Sequence, residues 1–191
     1  MNKIIGILGM QGAIAEHQEI LLQITHTKIR IVKTAKDLDC IDGLILPGGE
    51  STAIGKLLDY FSLKEILRQK IISGLPVFGT CAGLILLAKN IENQTNTHLA
   101  TMDITVKRNG YGSQLDSFST NLLIPTIDKN MPIPLVFIRA PYITKTDKDV
   151  QILATLDNKI IAARQKNMLV SSFHPELTCD LRFHQYFLSM I

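Results

Sequence analysis

The sequence predicts a three-layer α/β fold, in which a central mixed, mainly parallel sheet lies between helices on both faces. In the first half, short continuously apolar runs alternate with longer helical segments, which is typical of βα units that build a parallel sheet. In the second half, strand-like runs follow one another and are separated by turn signals such as Asn109-Gly110 and Asp157-Asn158. The sheet is therefore expected to be parallel at first and mixed overall.

The elements of the first half follow from the hydrophobic pattern. A strand is expected where a short run is continuously apolar or alternates with polar residues, and a helix where apolar residues recur at helical spacing. In order, this gives a strand over 3–8, a helix over 13–24, strands over 28–33 and 43–46, helical sequence over 53–72 interrupted near 60–62, a strand leading to Cys81, and a helix to about residue 90.

The second half is predicted by the same criteria. It gives strands over 102–108, 119–127, 135–139, 150–156, 160–164 and 168–173, and a closing amphipathic helix over about 179–190. The 191 residues are 46% hydrophobic, with no linker, internal repeat or low-complexity segment in the sequence. Residues 1–191 are therefore expected to form a single domain with a substantial core.

Charge and apolar patterning exclude several classes of protein. Twenty Lys and Arg residues against 17 Asp and Glu give a net charge of +3, too small and too scattered to indicate nucleic-acid binding. The apolar run over 4–10 is too short to span a membrane and lacks the plan of a signal peptide. Three cysteines without disulfide-like spacing favour a reducing compartment, so a soluble, cytoplasmic protein is expected.

The segment Gly79-Thr80-Cys81-Ala82-Gly83 has the pattern of a nucleophile elbow. It joins an apolar strand to an apolar helix, and its two glycines permit a sharp turn at the cysteine. The start of the following helix favours negative charge and so favours a reactive thiolate. A small buried cysteine in a tight turn is the alternative, and the motif alone does not decide between them.

A partner for this thiol lies near the other end of the chain, in Ser172-Phe173-His174-Pro175-Glu176. A residue before proline favours extended backbone, so His174 is expected on strand-like backbone with Glu176 beside it, two residues on. A carboxylate beside an imidazole fixes its tautomer and stabilises the imidazolium. Cys81 as nucleophile, His174 as base and Glu176 as orienting carboxylate form a set suited to acyl transfer.

A glycine loop, Pro47-Gly48-Gly49-Glu50-Ser51-Thr52, is expected at the same edge of the sheet, because it also follows a predicted parallel strand. It lacks the lysine and spacing of a P-loop. It could be a tight turn in which Ser51 or Thr52 caps the next helix. Beside a cysteine nucleophile it could instead supply a glycine N–H that forms an oxyanion hole together with the N–H of Ala82.

Other cysteines and histidines have weaker claims to a role. Cys179 and His184 do not have the spacing of a common metal site, and helix packing accounts for both. Cys40 is expected in the core. The remaining histidines stand alone in the sequence, and surface or capping roles are expected for His17, His26 and His98.

These motifs together resemble the class I (triad) glutamine amidotransferases, and within them the glutaminase subunits of pyridoxal 5′-phosphate synthases. The Cys81 elbow and the His-Pro-Glu segment are shared across the triad enzymes. The narrower resemblance lies in Gly9-Met10-Gln11-Gly12, Leu46-Pro47-Gly48-Gly49-Glu50-Ser51-Thr52, Arg108-Asn109, Gln114-Leu115-Asp116-Ser117-Phe118, Phe137-Ile138-Arg139-Ala140-Pro141 and Ser172-Phe173-His174-Pro175-Glu176-Leu177-Thr178.

The resemblance implies a flavodoxin-like fold and hydrolysis of L-glutamine to glutamate and ammonia through a thioester on Cys81. It implies that the glycine loop and three later residues bind glutamine, and that Gly49 and Ala82 form the oxyanion hole. The implied glutamine-binding residues are Gly48, Gly49, Glu50, Arg108, Ile138 and Arg139. An arginine suits the planar α-carboxylate of an amino acid, but spacing alone does not select Arg108 or Arg139.

The resemblance also implies a partner, a synthase subunit that receives the ammonia within a large hetero-oligomer. In the family, docking of that subunit reorients the glycine loop and completes the oxyanion hole. Neither a metal nor an organic cofactor is expected. Two other classes of function remain open at this point: a cysteine peptidase or related acyl hydrolase on the same scaffold, and a non-catalytic regulatory subunit.

Overall fold

A computed structural model describes residues 2–110 and 117–191. In this part of the chain the strands are β1 (Lys3–Leu8), β2 (Thr27–Val32), β3 (Gly43–Leu46), β4 (Val77–Thr80), β5 (Ala88–Ile91), β6 (Met102–Lys107), β7 (Ser117–Leu122), β8 (Ile133–Ile138), β9 (Tyr142–Thr146), β10 (Gln151–Leu156), β11 (Lys159–Gln165) and β12 (Met168–Ser171). The α-helices are α1 (Ile14–Leu22), α2 (Ser51–Tyr60), α3 (Lys64–Ile72), α4 (Ala82–Leu87) and α5 (Arg182–Leu188), and short 3-10 helices span Ala35–Cys40 and Pro175–Leu177.

Ten of these strands form one mixed sheet in the order β2-β1-β3-β4-β12-β11-β9-β6-β5, with β10 paired to β11. The five strands from β2 to β12 are mutually parallel, whereas β11 runs antiparallel to β12. Strands β7 and β8 form a separate antiparallel pair. The predicted central mixed, mainly parallel sheet is therefore confirmed.

Helices cover both faces of the sheet. On one face, α1 and α5 pack against Ile5, Ile45 and Phe78 through residues such as Phe183 and Phe187. On the other face, α2, α3 and α4 pack against alternate residues of the same strands, including Leu44, Leu46 and Val77. Because successive side chains of a strand point to opposite faces, a sheet covered on both sides needs the continuously apolar strands seen in the sequence.

The predicted interruption of the helical sequence over 53–72 is confirmed, since α2 ends at Tyr60 and α3 begins at Lys64. The helix expected to reach about residue 90 ends at Leu87, because Ala88–Ile91 pairs in parallel with β6. The closing helix is shorter than predicted and begins only at Arg182, whose backbone N–H donates to the Asp180 carboxylate. Strand β9, paired with β6, had no prediction.

The parallel topology brings four loops to one edge of the sheet. Strands β1, β3, β4 and β12 are neighbours, and their carboxyl ends lead into Gly9–Gly12, Pro47–Glu50, Cys81 and Ser172–His174 respectively. In open α/β sheets this is the edge at which ligands bind. In the part of the chain that the structure describes, no helix is long and apolar enough to cross a membrane.

Candidate active site

A cleft of about 550 Å³ opens at this edge of the sheet. Its walls come from the β1 loop, the glycine loop, the elbow, the segment after β6, the end of β8 and the segment after β12. Of the residues predicted to catalyse the reaction, to bind glutamine or to form the oxyanion hole, all but Ala82 and Glu176 line the cleft. They are Gly48, Gly49, Glu50, Cys81, Arg108, Ile138, Arg139 and His174. The sequence-predicted residues therefore meet around one cavity.

Cys81 lies at the turn between β4 and α4 in a backbone conformation that L-residues rarely adopt, with φ +47° and ψ −96°. Its N–H donates to the Ser171 carbonyl on β12 at 2.8 Å, which fixes the turn against the neighbouring strand. A Cβ on Gly83 would lie 2.2 Å from the Leu46 carbonyl oxygen, so only glycine lets α4 approach β3 this closely. The Cys81 side chain remains at the cleft surface, and the residue is 8% exposed.

His174 and Glu176 form a short hydrogen bond, with His174 Nδ1 2.7 Å from Glu176 Oε1. The prediction that they lie side by side is confirmed, but extended backbone is not the cause. Glu176 lies within the 3-10 helix Pro175–Leu177, and this turn brings its carboxylate back beneath the ring. The backbone N–H of His174 donates to the Val136 carbonyl on β8 at 2.8 Å, which anchors the segment.

The surroundings of His174 favour the imidazolium. Burial by itself would lower the pKa of the ring, but interactions with the Cys81 thiol and the Glu176 carboxylate outweigh burial and raise the pKa of His174 to about 10. Burial of Glu176 likewise opposes ionisation, yet His17 and His174 face the carboxylate and lower its pKa. The site thus favours a positively charged His174 ring beside an ionised Glu176.

The surface or capping role predicted for His17 is wrong. It is fully buried, and its Nε2 lies 3.6 Å from Glu176 Oε1 and 3.2 Å from Thr80 Oγ1. A signal was present in the sequence, since Ile14, His17 and Leu21 have the spacing of one helical face. A histidine on the apolar face of a helix is buried together with that face, so this spacing indicates a buried His17 rather than a surface residue.

The predictions for the other cysteines and for His184 have different outcomes. Cys40 is exposed and does not lie in the core. Cys179 is also exposed, whereas His184 is buried in helix α5, where its Nε2 lies 3.0 Å from His17 Nδ1. In residues 2–110 and 117–191, no group of three or more His, Cys, Asp or Glu side chains is placed to hold a metal ion.

The glycine loop is held on both sides by its neighbours. The N–H of Gly48 donates to Thr80 Oγ1 at 2.9 Å, and its carbonyl accepts from the Ala13 N–H at 2.9 Å. A Cβ on Gly48 would lie 2.4 Å from Cε1 of His174, so the loop backbone contacts the imidazole directly. In a trans peptide the N–H points away from the C=O, so the Gly49 N–H points away from Ala13.

Glu50 ends the loop and caps the next helix. Its Oε2 accepts from the Ala53 N–H at 2.7 Å, so the cap is neither Ser51 nor Thr52 as the turn alternative proposed. Its Oε1 lies 2.8 Å from Nη2 of Arg108. Partial burial opposes ionisation, but these N–H donors and the guanidinium lower the pKa of Glu50. An anion and a cation therefore stand together on the cleft wall.

The end of the β7–β8 pair also lines the cleft. Ile138 is the last residue of β8, is 36% exposed and lines the cleft. Arg139 follows it with φ +43°, and this left-handed conformation turns the chain at the cleft mouth. Of the segment Gln114-Leu115-Asp116-Ser117-Phe118, which the resemblance included, residues 114–116 lie outside the described residues.

A buried carboxylate that contacts an imidazole, with a thiol and a glycine loop at the same cleft, is typical of a class of cysteine enzymes that transfer acyl groups. The comparisons narrow this class. The model of the SNO glutamine amidotransferase family matches residues 7–191, and the chain belongs to that family.

Two curated relatives span nearly the whole chain. The pyridoxal 5′-phosphate synthase subunit PdxT of Carboxydothermus hydrogenoformans is 55% identical over 187 residues, which cover 98% of this chain and 97% of the relative. The subunit of the same name from Ruminiclostridium cellulolyticum is 53% identical over 189 residues, covering 99% of this chain and 100% of the relative.

Solved structures agree with this assignment. A crystal structure described as a glutamine amidotransferase superposes with a TM-score of 0.90 at 39% identity, covering 97% of each chain. PurLQS from Thermotoga maritima superposes with a TM-score of 0.71 at 15% identity over 99% of each chain, which shows the fold alone. The predicted class I glutamine amidotransferase fold is confirmed.

Proposed function

We propose that this chain is the glutaminase subunit of a pyridoxal 5′-phosphate synthase, in which Cys81, His174 and Glu176 hydrolyse L-glutamine. Family membership makes the chain a glutamine amidotransferase, an enzyme that takes ammonia from glutamine. The assignment to pyridoxal 5′-phosphate synthesis rests on relatives of that name at 53–55% identity. The observation that carries the residue roles is the convergence of thiol, imidazole and carboxylate at one cleft.

The chemistry follows from the geometry. The Cys81 sulfur attacks the side-chain amide carbon of glutamine, and the developing oxyanion is stabilised by the N–H groups of Ala82 and Gly49. The His174 imidazolium gives its proton to the amide nitrogen, which leaves as ammonia and produces a glutamyl thioester. His174 then takes a proton from water, which attacks the thioester and releases glutamate and the thiol. Glu176 holds the ring in one tautomer throughout.

The ion pair on the cleft wall matches the other end of the substrate. Glutamine carries an α-ammonium and an α-carboxylate, and Glu50 and Arg108 carry the complementary charges 2.8 Å apart. We propose that bound glutamine replaces this contact with two of its own, ammonium to Glu50 and carboxylate to Arg108, with Arg139 beside them. Gly48 and Ile138 complete the contact surface. Such a site is selective for a free amino acid over a peptide, whose termini are blocked.

Residues 1–191 are proposed to act as one glutaminase domain in the cytoplasm, where three free cysteines stay reduced. The proposed partner is the synthase subunit, which receives ammonia within a hetero-oligomer. Without a partner, the Gly48 carbonyl accepts a hydrogen bond from the Ala13 N–H. Docking of the synthase subunit is proposed to reorient the Gly48–Gly49 peptide and so complete the oxyanion hole.

The test compares three forms of the full chain: wild type, Cys81→Ala, and Cys40→Ala as a matched control at an exposed cysteine. Ammonia and glutamate are measured with and without the synthase subunit. We expect release that rises with the partner, a loss of about 10³-fold or more in Cys81→Ala, and no loss in Cys40→Ala. Peptide or ester hydrolysis with glutamine untouched would establish the acyl-hydrolase alternative, and full activity in Cys81→Ala would remove the proposed nucleophile.

A further inference from the structure

Two buried histidines outside the triad form a chain of contacts that ends at the triad carboxylate. His184 Nε2 lies 3.0 Å from His17 Nδ1, and His17 Nε2 faces both Thr80 Oγ1 and Glu176 Oε1. Both histidines are fully buried, and neither lines the cleft. The hydrolysis described above uses neither of them, so their burial calls for another explanation.

The Glu176 carboxylate has few donors for a buried anion. Oε1 receives the His174 Nδ1–H at 2.7 Å and faces His17 Nε2 at 3.6 Å. Oε2 has no hydrogen-bond partner in the described part of the chain. A buried carboxylate is stable as an anion only where donors compensate for lost water. His17 therefore stabilises the charge on Glu176, together with His174 and the backbone N–H of Glu176 itself.

The tautomer of His17 follows from these neighbours. With the proton on Nε2, the ring directs an N–H toward the carboxylate, and its Nδ1 accepts from His184 Nε2–H. His184 Nδ1 is then an unprotonated nitrogen, which agrees with its lack of a partner among the described residues. The opposite tautomer lets Thr80 donate to His17, but it directs a lone pair at an anion 3.6 Å away and leaves a buried N–H on His184 without an acceptor.

A second branch of the contacts reaches the glycine loop. Thr80 Oγ1 accepts the Gly48 N–H at 2.9 Å and lies 3.2 Å from His17 Nε2. Thr80 is fully buried and immediately precedes Cys81. His17 therefore contacts, through one ring nitrogen, the residue that holds the oxyanion loop and the carboxylate that holds the catalytic imidazole.

We propose that His17 is a positioning residue for glutamine hydrolysis: held as the Nε2–H tautomer by His184, it orients Glu176 and, through Thr80, the Gly48 backbone. The expected effect on kinetics rests on the proposed function, whereas the tautomer of His17 and its contacts do not. It predicts that loss of the His17 N–H lowers the rate of thioester formation while glutamine binding is kept, because His17 does not line the cleft.

The kinetic test uses the full chain with its synthase partner and the variants His17→Leu and His17→Gln. Leucine removes the N–H, whereas the glutamine amide places an N–H near the position of Nε2. We expect kcat to fall about 10- to 100-fold in His17→Leu, because the buried Glu176 carboxylate loses the N–H that faces it at 3.6 Å, with KM for glutamine unchanged. His17→Gln should recover most of the rate, and His26→Asn at an exposed surface site is the control.

A second measurement does not depend on activity or on the folding of a variant. Nitrogen-15 NMR of histidine-labelled wild-type chain reads the protonated nitrogen of each ring, and we expect Nε2–H for both His17 and His184. A His17 ring protonated at Nδ1, or an unchanged kcat in folded His17→Leu, would overturn the inference. A wild-type chain that releases no ammonia in any condition would overturn the proposed function instead, and the NMR result would still decide the tautomer.

Discussion

At the scale of single residues, the neighbours of His174 determine the charge of its ring. Burial would make the ring neutral, and contacts with the thiol and with Glu176 make it basic, so the pKa of His174 is raised to about 10. Among the interactions that raise this pKa, the hydrogen bond with Cys81 is the largest, followed by the hydrogen bond with Glu176. A pKa of about 10 favours the imidazolium at neutral pH, which is the form that the proposed mechanism needs to protonate the amide nitrogen of glutamine.

Removing the sulfur should therefore lower the pKa of His174. In Cys81→Ala, burial continues to favour the neutral ring while the largest opposing interaction is lost, and we expect the midpoint to fall by about 1–3 units. The measurement is an NMR titration of the His174 ring in wild type and variant. A ring that titrates at the same pH in both would show that Glu176 alone sets its charge.

Sequence reasoning singled out Cys81, His174 and Glu176 because two short motifs carry them. The elbow at Cys81 and the His174-Pro175-Glu176 turn are each set by residues within a few positions. His17 was missed because its partners are distant: Glu176 lies 159 positions away along the printed sequence. A histidine on an apolar helical face signals burial, but the group it contacts depends on which strands and loops the sheet brings beneath that face.

At the scale of elements, the start of α1 and the glycine loop are packed backbone against backbone. Gly12 has φ +116°, and a Cβ there would lie 1.9 Å from the Gly48 carbonyl oxygen. Gly74 has a similar φ of +110° after α3, yet a Cβ there would meet nothing within 4 Å. The two glycines therefore separate the effect of backbone strain from the effect of a clash with the loop.

Gly12→Ala and Gly74→Ala are expected to differ in activity. Each should destabilise the fold by about 1–2 kcal/mol, because alanine is strained at positive φ. Only Gly12→Ala should also displace Gly48, and a shift of about 1 Å at the oxyanion loop can lower kcat up to about 100-fold. Thermal unfolding and ammonia release with the synthase partner measure the two effects. Equal activities in the two variants would show that the loop tolerates displacement.

Helices and strands were predicted well where their own hydrophobic pattern determines the secondary structure, and poorly where pairing with a distant strand determines it. The continuously apolar runs of β1, β3 and β4 identify buried strands directly. Residues 88–91 read as the end of a helix, because Ala88 continues an apolar stretch, but they pair with β6 and become a strand. Such pairing depends on residues that follow in the chain, and local hydrophobic spacing does not contain it.

For the whole molecule, the two histidines tie together elements from opposite ends of the chain. His17 on α1 and His184 on α5 meet beneath the triad, where His184 packs edge-on against Phe78 of the sheet. Burial, followed by the nearby His17, lowers the pKa of His184 to about 3. The folded chain therefore keeps this ring neutral at a pH where the unfolded chain protonates it.

The consequence is a loss of stability in mild acid. The stabilisation due to neutral His184 is complete above its unfolded pKa of 6.5 and is lost progressively as the pH falls toward 3. Between pH 7 and pH 5 this amounts to about 2 kcal/mol of unfolding free energy.

His184→Gln does not titrate and can still donate an N–H to His17, so the same drop in pH should cost this variant about 2 kcal/mol less than wild type. Urea unfolding at both pH values measures the difference. His184→Phe, which also does not titrate but lacks the N–H, is the control: it should lose the same pH dependence whatever its total stability. If both variants weaken in acid as steeply as wild type, His184 is not the group whose protonation opposes folding.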